Sequence, residues 1–178
     1  RDLGLMLKGA IEFNIPMIIG SAGGGGSDSQ ISWTVSLLES LAREHSFSFK
    51  LAVIQSELAA DYLKAKIVED KISPLGPINA LSKETVDGSG RIVGMMGVEP
   101  LQAALASGAQ VIVAGRCSDA AIYAALPIME GYDAGRAWHL GKIIECGAQV
   151  IEPRVGQDCI IGTLGDGWFE VEPGHPEK

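Results

Sequence analysis

Ile15-Pro-Met-Ile-Ile-Gly-Ser-Ala-Gly-Gly-Gly-Gly-Ser-Asp-Ser29 reads as an apolar strand that runs into a glycine loop and opens a helix. Backbone N–H groups gather at such a helix N-terminus, where an anionic ligand is favoured. Glycines remove Cβ atoms, so the chain can take positive φ and approach a ligand closely. Ser27 is the expected N-cap and Gln30 its capping-box partner, each side chain satisfying one orphan amide. Ile31, Val35, Leu38 and Ala42 follow at roughly helical spacing and give the helix one apolar face to lay on a sheet.

The glycine loop fits no standard phosphate motif. A phosphate-binding P-loop needs Gly-Lys-Ser/Thr after its spacer, and no lysine follows these glycines. The dinucleotide pattern G-x-G-x-x-G ends on Asp28 or Ser29 in the registers that start at Gly23 or Gly24, so its third glycine is missing. What remains is a cradle for an anionic or polar ligand, or a tight turn whose glycines serve geometry alone.

Outward from this unit, strand and helix signals alternate. A helix is expected over Leu3 to Phe13, capped by Asp2, before strand one at Met17 to Gly20. The helix after the loop should end near His45, and Phe49 to Ile54 reads as a strand buried on both faces. Helices over Leu58 to Val68 and Leu81 to Val86 flank a loop broken by Pro74, Gly76 and Pro77. Strand three is expected at Arg91 to Met95 and strand four at Val111 to Gly115, with a helix opened by Pro100 between them. Helices over Ala120 to Met129 and Ala134 to Cys146 follow. Cys159 to Leu164 and Trp168 to Glu172 flank Gly165-Asp-Gly167 as a β-hairpin, and Pro173 to Lys178 reads as a frayed tail.

This order predicts a three-layer α/β fold: a mainly parallel sheet of at least four strands, helices on both faces, and a C-terminal β-hairpin. Residues 1–150 form the expected α/β domain with the glycine-loop site. Residues 151–178, the hairpin and tail, belong to it or begin a further region.

The 178 residues carry a formal net charge of −8, which argues against a nucleic-acid or anionic-membrane surface. No apolar run reaches the roughly 18 residues of a spanning helix, and no signal-peptide pattern opens the chain, so a cytoplasmic setting is expected. Cys117, Cys146 and Cys159 lie far apart with no Cys-x-x-Cys pair, which fits reduced thiols rather than a disulfide framework or zinc knuckle. The chain starts at Arg1-Asp2 without methionine and reads as a fragment or processed chain.

One device occurs twice: strand, glycine, small polar residues, then Ser-Asp at a helix start. Ser27-Asp28 follows strand one and Ser118-Asp119 follows strand four. In a parallel sheet both groups lie at the same carboxyl edge, where ligands of open α/β sheets bind, and Gly97-Val-Glu99 joins them. Arg116 supplies one fixed positive charge beside two helix N-termini, suited to a carboxylate or phosphate. Each residue has a plainer reading. Asp28, Asp119 and Glu99 complement helix dipoles, Arg116 pairs with Asp119, and Cys117 fills core space rather than acting as a nucleophile. His139 and Lys142 share a helix face, and Lys64 and Lys66 belong to a solvated charged helix.

Ile18-Ile-Gly-Ser-Ala-Gly-Gly24, Val93-Gly-Met-Met-Gly-Val-Glu-Pro100, Ala114-Gly-Arg-Cys-Ser-Asp119 and Ala137-Trp-His-Leu-Gly-Lys-Ile-Ile-Glu-Cys-Gly147 together resemble the acyclic terpene utilisation family, over roughly residues 1 to 150. Family members are typically longer. Some relatives take part in bacterial breakdown of terpenes such as citronellol and geraniol, a route run largely on coenzyme A thioesters, and others carry a methylaspartate ammonia-lyase label. The resemblance implies a site better than it implies a chemistry, and in its Gly-Arg-small-x-Asp motif position 117 need only be small.

The functional expectation is an enzyme domain that binds a small carboxylate or acyl-CoA-type substrate at the sheet's carboxyl edge. Asp119 is the first candidate for proton transfer, with Asp28 and Glu99 next. Ser21, Gly23, Gly24, Gly25, Gly26, Ser27, Arg116 and Ser118 are the candidate substrate-binding residues. Lyase and acyl-thioester or hydrolase chemistry are both open. A coenzyme A thioester enters as substrate; a divalent metal on the carboxylates has weak support, since no His joins them. A non-catalytic binding or scaffold domain is the main alternative, and an ammonia-lyase with a Mg²⁺ carboxylate cluster and a lysine base is the second. The expected partners are the small molecule and either a second copy or further domains of the same chain.

Overall fold

The computed structural model describes residues 1–152 and 159–174. The end of the expected tail, from His175 on, lies outside the described residues. Helix α1 (Asp2–Glu12) leads through Asn14, at a left-handed φ of 50°, into β1 (Met17–Ile19). The glycine loop opens α2 (Asp28–His45), followed by β2 (Leu51–Ile54), α3 (Ala60–Val68) and α4 (Lys83–Gly88). Then come α5 (Glu99–Ala106), β3 (Val111–Ala114), α6 (Ala121–Met129), α7 (Ala134–Glu145), and the hairpin strands β4 (Ile160–Gly165) and β5 (Trp168–Pro173).

The three N-terminal strands form one parallel sheet in the order β1-β3-β2, with Met17 and Leu51 both in register with Val111. The expected three-layer fold on at least four parallel strands is therefore corrected to a three-stranded parallel sheet plus a separate two-stranded antiparallel hairpin. The difference lies in Arg91 to Met95. Its residues suit a strand, yet the segment spans two partners and builds a ladder with neither. Val93 bridges Glu57 in antiparallel sense, and three residues later Met96 bridges Cys117 in parallel sense. The segment crosses the ends of β2 and β3 instead of lying beside them. β2 is consequently an edge strand, with Val53 47% exposed, and not the doubly buried strand its composition suggests.

β3 carries the core. Strand side chains alternate between faces, and all four residues of β3 are buried. Val111 and Val113 pack with Leu7 and Ala10 of α1 and Ile31 and Leu38 of α2. Ile112 and Ala114 pack with Leu101 of α5 and with Ala121, Ala124 and Ala125 of α6 on the other face. The alanines let α6 lie close to the sheet. α7 in turn lies close to α6, because a Cβ at Gly141 would come within 2.8 Å of Ala120 O. The hairpin rests on α7, with Phe169 edge-on to His139 at 5.1 Å between ring centroids.

The winding direction decides where the site forms. From β1 the chain crosses beyond β3 to β2, with α2 on the Val111 face; it then returns to β3, with α5 on the Ile112 face. Neighbours β1 and β3 are thus followed by helices that leave to opposite faces. Between such strands the carboxyl edge opens as a crevice.

Candidate functional site

At this edge the loops after β1 and β3 are bound to one another. Ser21, held at φ 46°, donates its N–H to Gly115 O at 2.9 Å. Ser21 Oγ accepts the Cys117 N–H at 3.2 Å and an Arg116 Nη1 hydrogen at 3.4 Å. A residue other than glycine in this backbone region costs about 1–3 kcal/mol and persists where its surroundings fix it. The Ser21 hydroxyl supplies that fixation.

Ser56, which the sequence reading missed, joins the third loop to these two. It is buried just past β2, donates from Oγ to Gly26 O at 2.9 Å, and accepts the Arg116 N–H at 2.7 Å. Two glycines make room for this junction. A Cβ on Gly26, at φ 75°, would overlap the Arg116 backbone, and a Cβ on Gly115 would overlap the Ser56 side chain.

Within the glycine loop much of the expected anion cradle is filled by the protein itself. The Gly24 and Gly26 amides close turns onto Ser21 O and Ala22 O. The capping box forms, with Gln30 Oε1 accepting the Ser27 N–H at 3.1 Å, and Gln30 Nε2 reaches back to Gly23 O at 2.8 Å. Gly23 and Gly25 lie against that Gln30 side chain, while Gly24, at φ 101°, meets open space. Glu57 Oε1 accepts the Asp28 N–H at 3.0 Å, so a carboxylate already sits at the N-terminus of α2. Arg91 donates to the same oxygen at 3.0 Å and to Ser29 Oγ at 2.9 Å. Neither Glu57 nor Arg91 carries a sequence signal; the end of β2 brings the first to the loop and the crossing of the 91–96 segment brings the second.

The open part of the edge lies on the α6 side. A cleft of about 200 Å³ is lined by Gly20, Ser21, Cys117, Ser118, Asp119, Ile122, Tyr123 and Glu145. Arg116 stands beside it, bonded to Ser21 and paired with Asp119 at 3.6 Å. Of the candidates, Ser21, Arg116, Ser118 and Asp119 are brought together. Asp28 and Glu99 are not among the lining residues. Asp28 Oδ2 accepts from Gln55 at 3.4 Å, and its buried Oδ1 has no hydrogen-bond partner among the described residues. Glu99 folds back on its own loop, where a Cβ at Gly97 would lie 2.8 Å from Glu99 Oε2.

Glu145 at the mouth is hydrogen-bonded by Lys142, which holds its carboxyl below the ordinary range and raises the lysine. Burial pushes the Cys117 thiol up, outweighing the lowering influence of its contact with Ser21 and of Arg116. The thiol is 1% exposed and belongs to the core, as its plainer reading expects. Among the described residues no three His, Cys, Asp or Glu side chains converge on a point that could hold a metal. No helix among them is long and apolar enough to cross a membrane.

Neighbouring parallel strands that send their helices to opposite faces, with a polar cleft at their carboxyl ends, define an open-sheet α/β domain. The chain belongs to the acyclic terpene utilisation family: the family model, described as acyclic terpene utilisation family protein AtuA, matches residues 9–158. The match takes in the glycine loop, both Ser-Asp pairs and α7, and membership points to a role in acyclic terpene utilisation. No curated protein and no solved structure gives a significant match.

Ser56→Ala strands a buried donor and acceptor and should cost about 1–3 kcal/mol in urea unfolding. Gly26→Ala adds overlap to a positive-φ penalty and should cost about 2–6 kcal/mol, whereas Gly24→Ala has only the backbone term, about 1–2 kcal/mol. Equal losses at the two glycines would refute the close-packing account. For Cys117, the folded thiol keeps its proton at a pH where the unfolded thiol, at about 8.5, ionises, so stability falls as pH rises past that value. Cys117→Ala should flatten part of that fall in melting temperature. In the native protein a thiol reagent should modify the exposed Cys159 well before Cys117.

Proposed function

We propose that this domain binds a small carboxylate or an acyl thioester from acyclic terpene breakdown in the cleft between β1 and β3, and that Asp119 moves a proton there. The observation that carries this reading is the meeting of Ser21, Arg116, Ser118 and Asp119 at the point where the helices after two neighbouring strands diverge. Ligands of open α/β sheets bind at this position.

The chemistry of each group supports a distinct role. Arg116 offers a planar fork for an anionic or strongly polar oxygen, and its backbone is held by Ser56. Ser118 sets a hydroxyl in the wall. Asp119 is 55% exposed at its side chain, so its carboxylate meets solvent and a ligand alike. A ligand anion must compete with Asp119 for the guanidinium. The acid that gives way to the ligand is then the one nearest the bound oxygen, where a proton acceptor is useful. The glycine loop acts as a positioning device in this reading, fixing Ser21 against Cys117 and Gly26 against Arg116.

The experiment is ligand-induced thermal stabilisation with citronellate and a short acyl-coenzyme A. Arg116→Ala should weaken binding about ten- to a hundredfold, the worth of one charge-assisted hydrogen bond. Asp119→Asn should bind as tightly or more tightly, since the competitor has lost its charge, while turnover in the full-length protein disappears. Unchanged stabilisation in Arg116→Ala would sink the binding site. Turnover that survives Asp119→Asn, Asp28→Asn and Glu99→Gln would leave a binding domain without catalytic carboxylates.

A further inference from the structure

Tyr123 also borders a second space. Between α6, α7 and β4 lies a groove of about 360 Å³ lined mainly by Leu126, Pro127, Leu140, Ile144 and Leu164. Tyr123 lines both spaces, and Ile144 of the groove is followed in sequence by Glu145 of the cleft. Along α6 and its C-cap the groove's lining extends from Tyr123 to Glu130, seven steps of the chain, or about 10 Å at the helical rise. Two glycines draw its walls together: a Cβ at Gly141 would come within 2.8 Å of Ala120 O, and one at Gly162 would press into the ends of Ile144 and Leu140.

We infer that this groove holds the hydrocarbon chain of a medium-length acyl ligand whose head lies in the cleft at Ser21 and Asp119, an inference that rests on the proposed function of that cleft. The polar end opens at the carboxyl edge, where the mobile chemistry of the head is wanted, and the apolar body runs away from it between two helices. A chain lying there exchanges water for leucine, isoleucine and proline surface, the transfer that drives apolar binding. Its reach is that of an extended chain of about eight carbons, given the length of groove along α6. Tyr123 stands at the boundary, its hydroxyl raised in pKa by burial and then by Glu145, so it remains a neutral donor beside the head.

The test is calorimetric titration of the chain with straight-chain carboxylates from butanoate to decanoate and with the matching primary alcohols. Affinity should rise about fourfold per methylene, the ratio set by the free energy of burying one CH₂, and level off near octanoate. Leu164→Trp, a substitution a strand accommodates, should abolish the dependence on chain length and leave butanoate binding unchanged. Carboxylates that bind with no dependence on chain length overturn the groove and leave the head site standing. Alcohols that bind as tightly as the carboxylates, with the same dependence, overturn the head site and leave the groove. No saturable binding by either series in titrations run at two temperatures, where the heat-capacity change of apolar burial must show as heat at one of them, overturns both.

Discussion

One serine hydroxyl holds the carboxyl edge together. Ser56 comes from the end of β2, yet it donates to the loop after β1 and accepts from the loop after β3, so the ends of all three parallel strands close on its oxygen. A buried hydroxyl is costly to leave unpaired, and here both of its capacities are used. The two glycines that flank it follow from the same requirement. With a side chain on Gly26 or Gly115 the loops would stand off from each other, and Ser56 would lose one partner or both. The glycine loop therefore reads first as a packing solution and only then as a ligand element.

The order of the strands converts this local fit into a site. Had β1 been followed in space by β2, the helices after them would lie on one face and the edge between would be covered. The excursion to β2 and the return to β3 instead place side by side two strands whose helices part. Space opens on the α6 side, while Gln30, Glu57 and Arg91 fill the α2 side. Short-range devices that could have served either a ligand or the protein are divided between the two sides by topology alone.

What the sequence disclosed and what it concealed follow the same division. The Ser27–Gln30 capping box and the apolar strand at Val111 depend on neighbours within one turn or one strand, and both were legible; the second Ser-Asp helix start was not met, since α6 is capped by Ala120 and Ser118 and Asp119 lie in the turn before it. The Arg116–Asp119 pair was legible for the same reason, being three residues apart in one loop. Ser56, Glu57 and Arg91 were not, because each acts on residues at least 29 positions away and none belongs to a local motif. The segment 91–96 misled in the opposite direction. Its composition suits a strand, but strand formation needs a partner along its whole length, and the chain turns from β2 to β3 halfway. Local propensity yields to tertiary pairing in such a case.

Charge at the mouth bears on what kind of selectivity the site can have. Arg116 is offset by Asp119 and Lys142 by Glu145, so the entrance is close to neutral, while the chain as a whole carries −8. At long range an anionic ligand is repelled, with screening over about 8 Å at physiological salt. Net attraction is thus a poor source of affinity for this edge. In the proposed function affinity comes from contacts made after arrival: the exchange of Asp119 for a ligand oxygen on Arg116, and the burial of apolar surface beyond Tyr123. On that proposal a small hydrophilic anion would gain only the first contact and a bare hydrocarbon only the second. A molecule with a polar acyl head on an aliphatic chain would gain both, and its carbons next to the carbonyl would then lie near Tyr123 and Asp119.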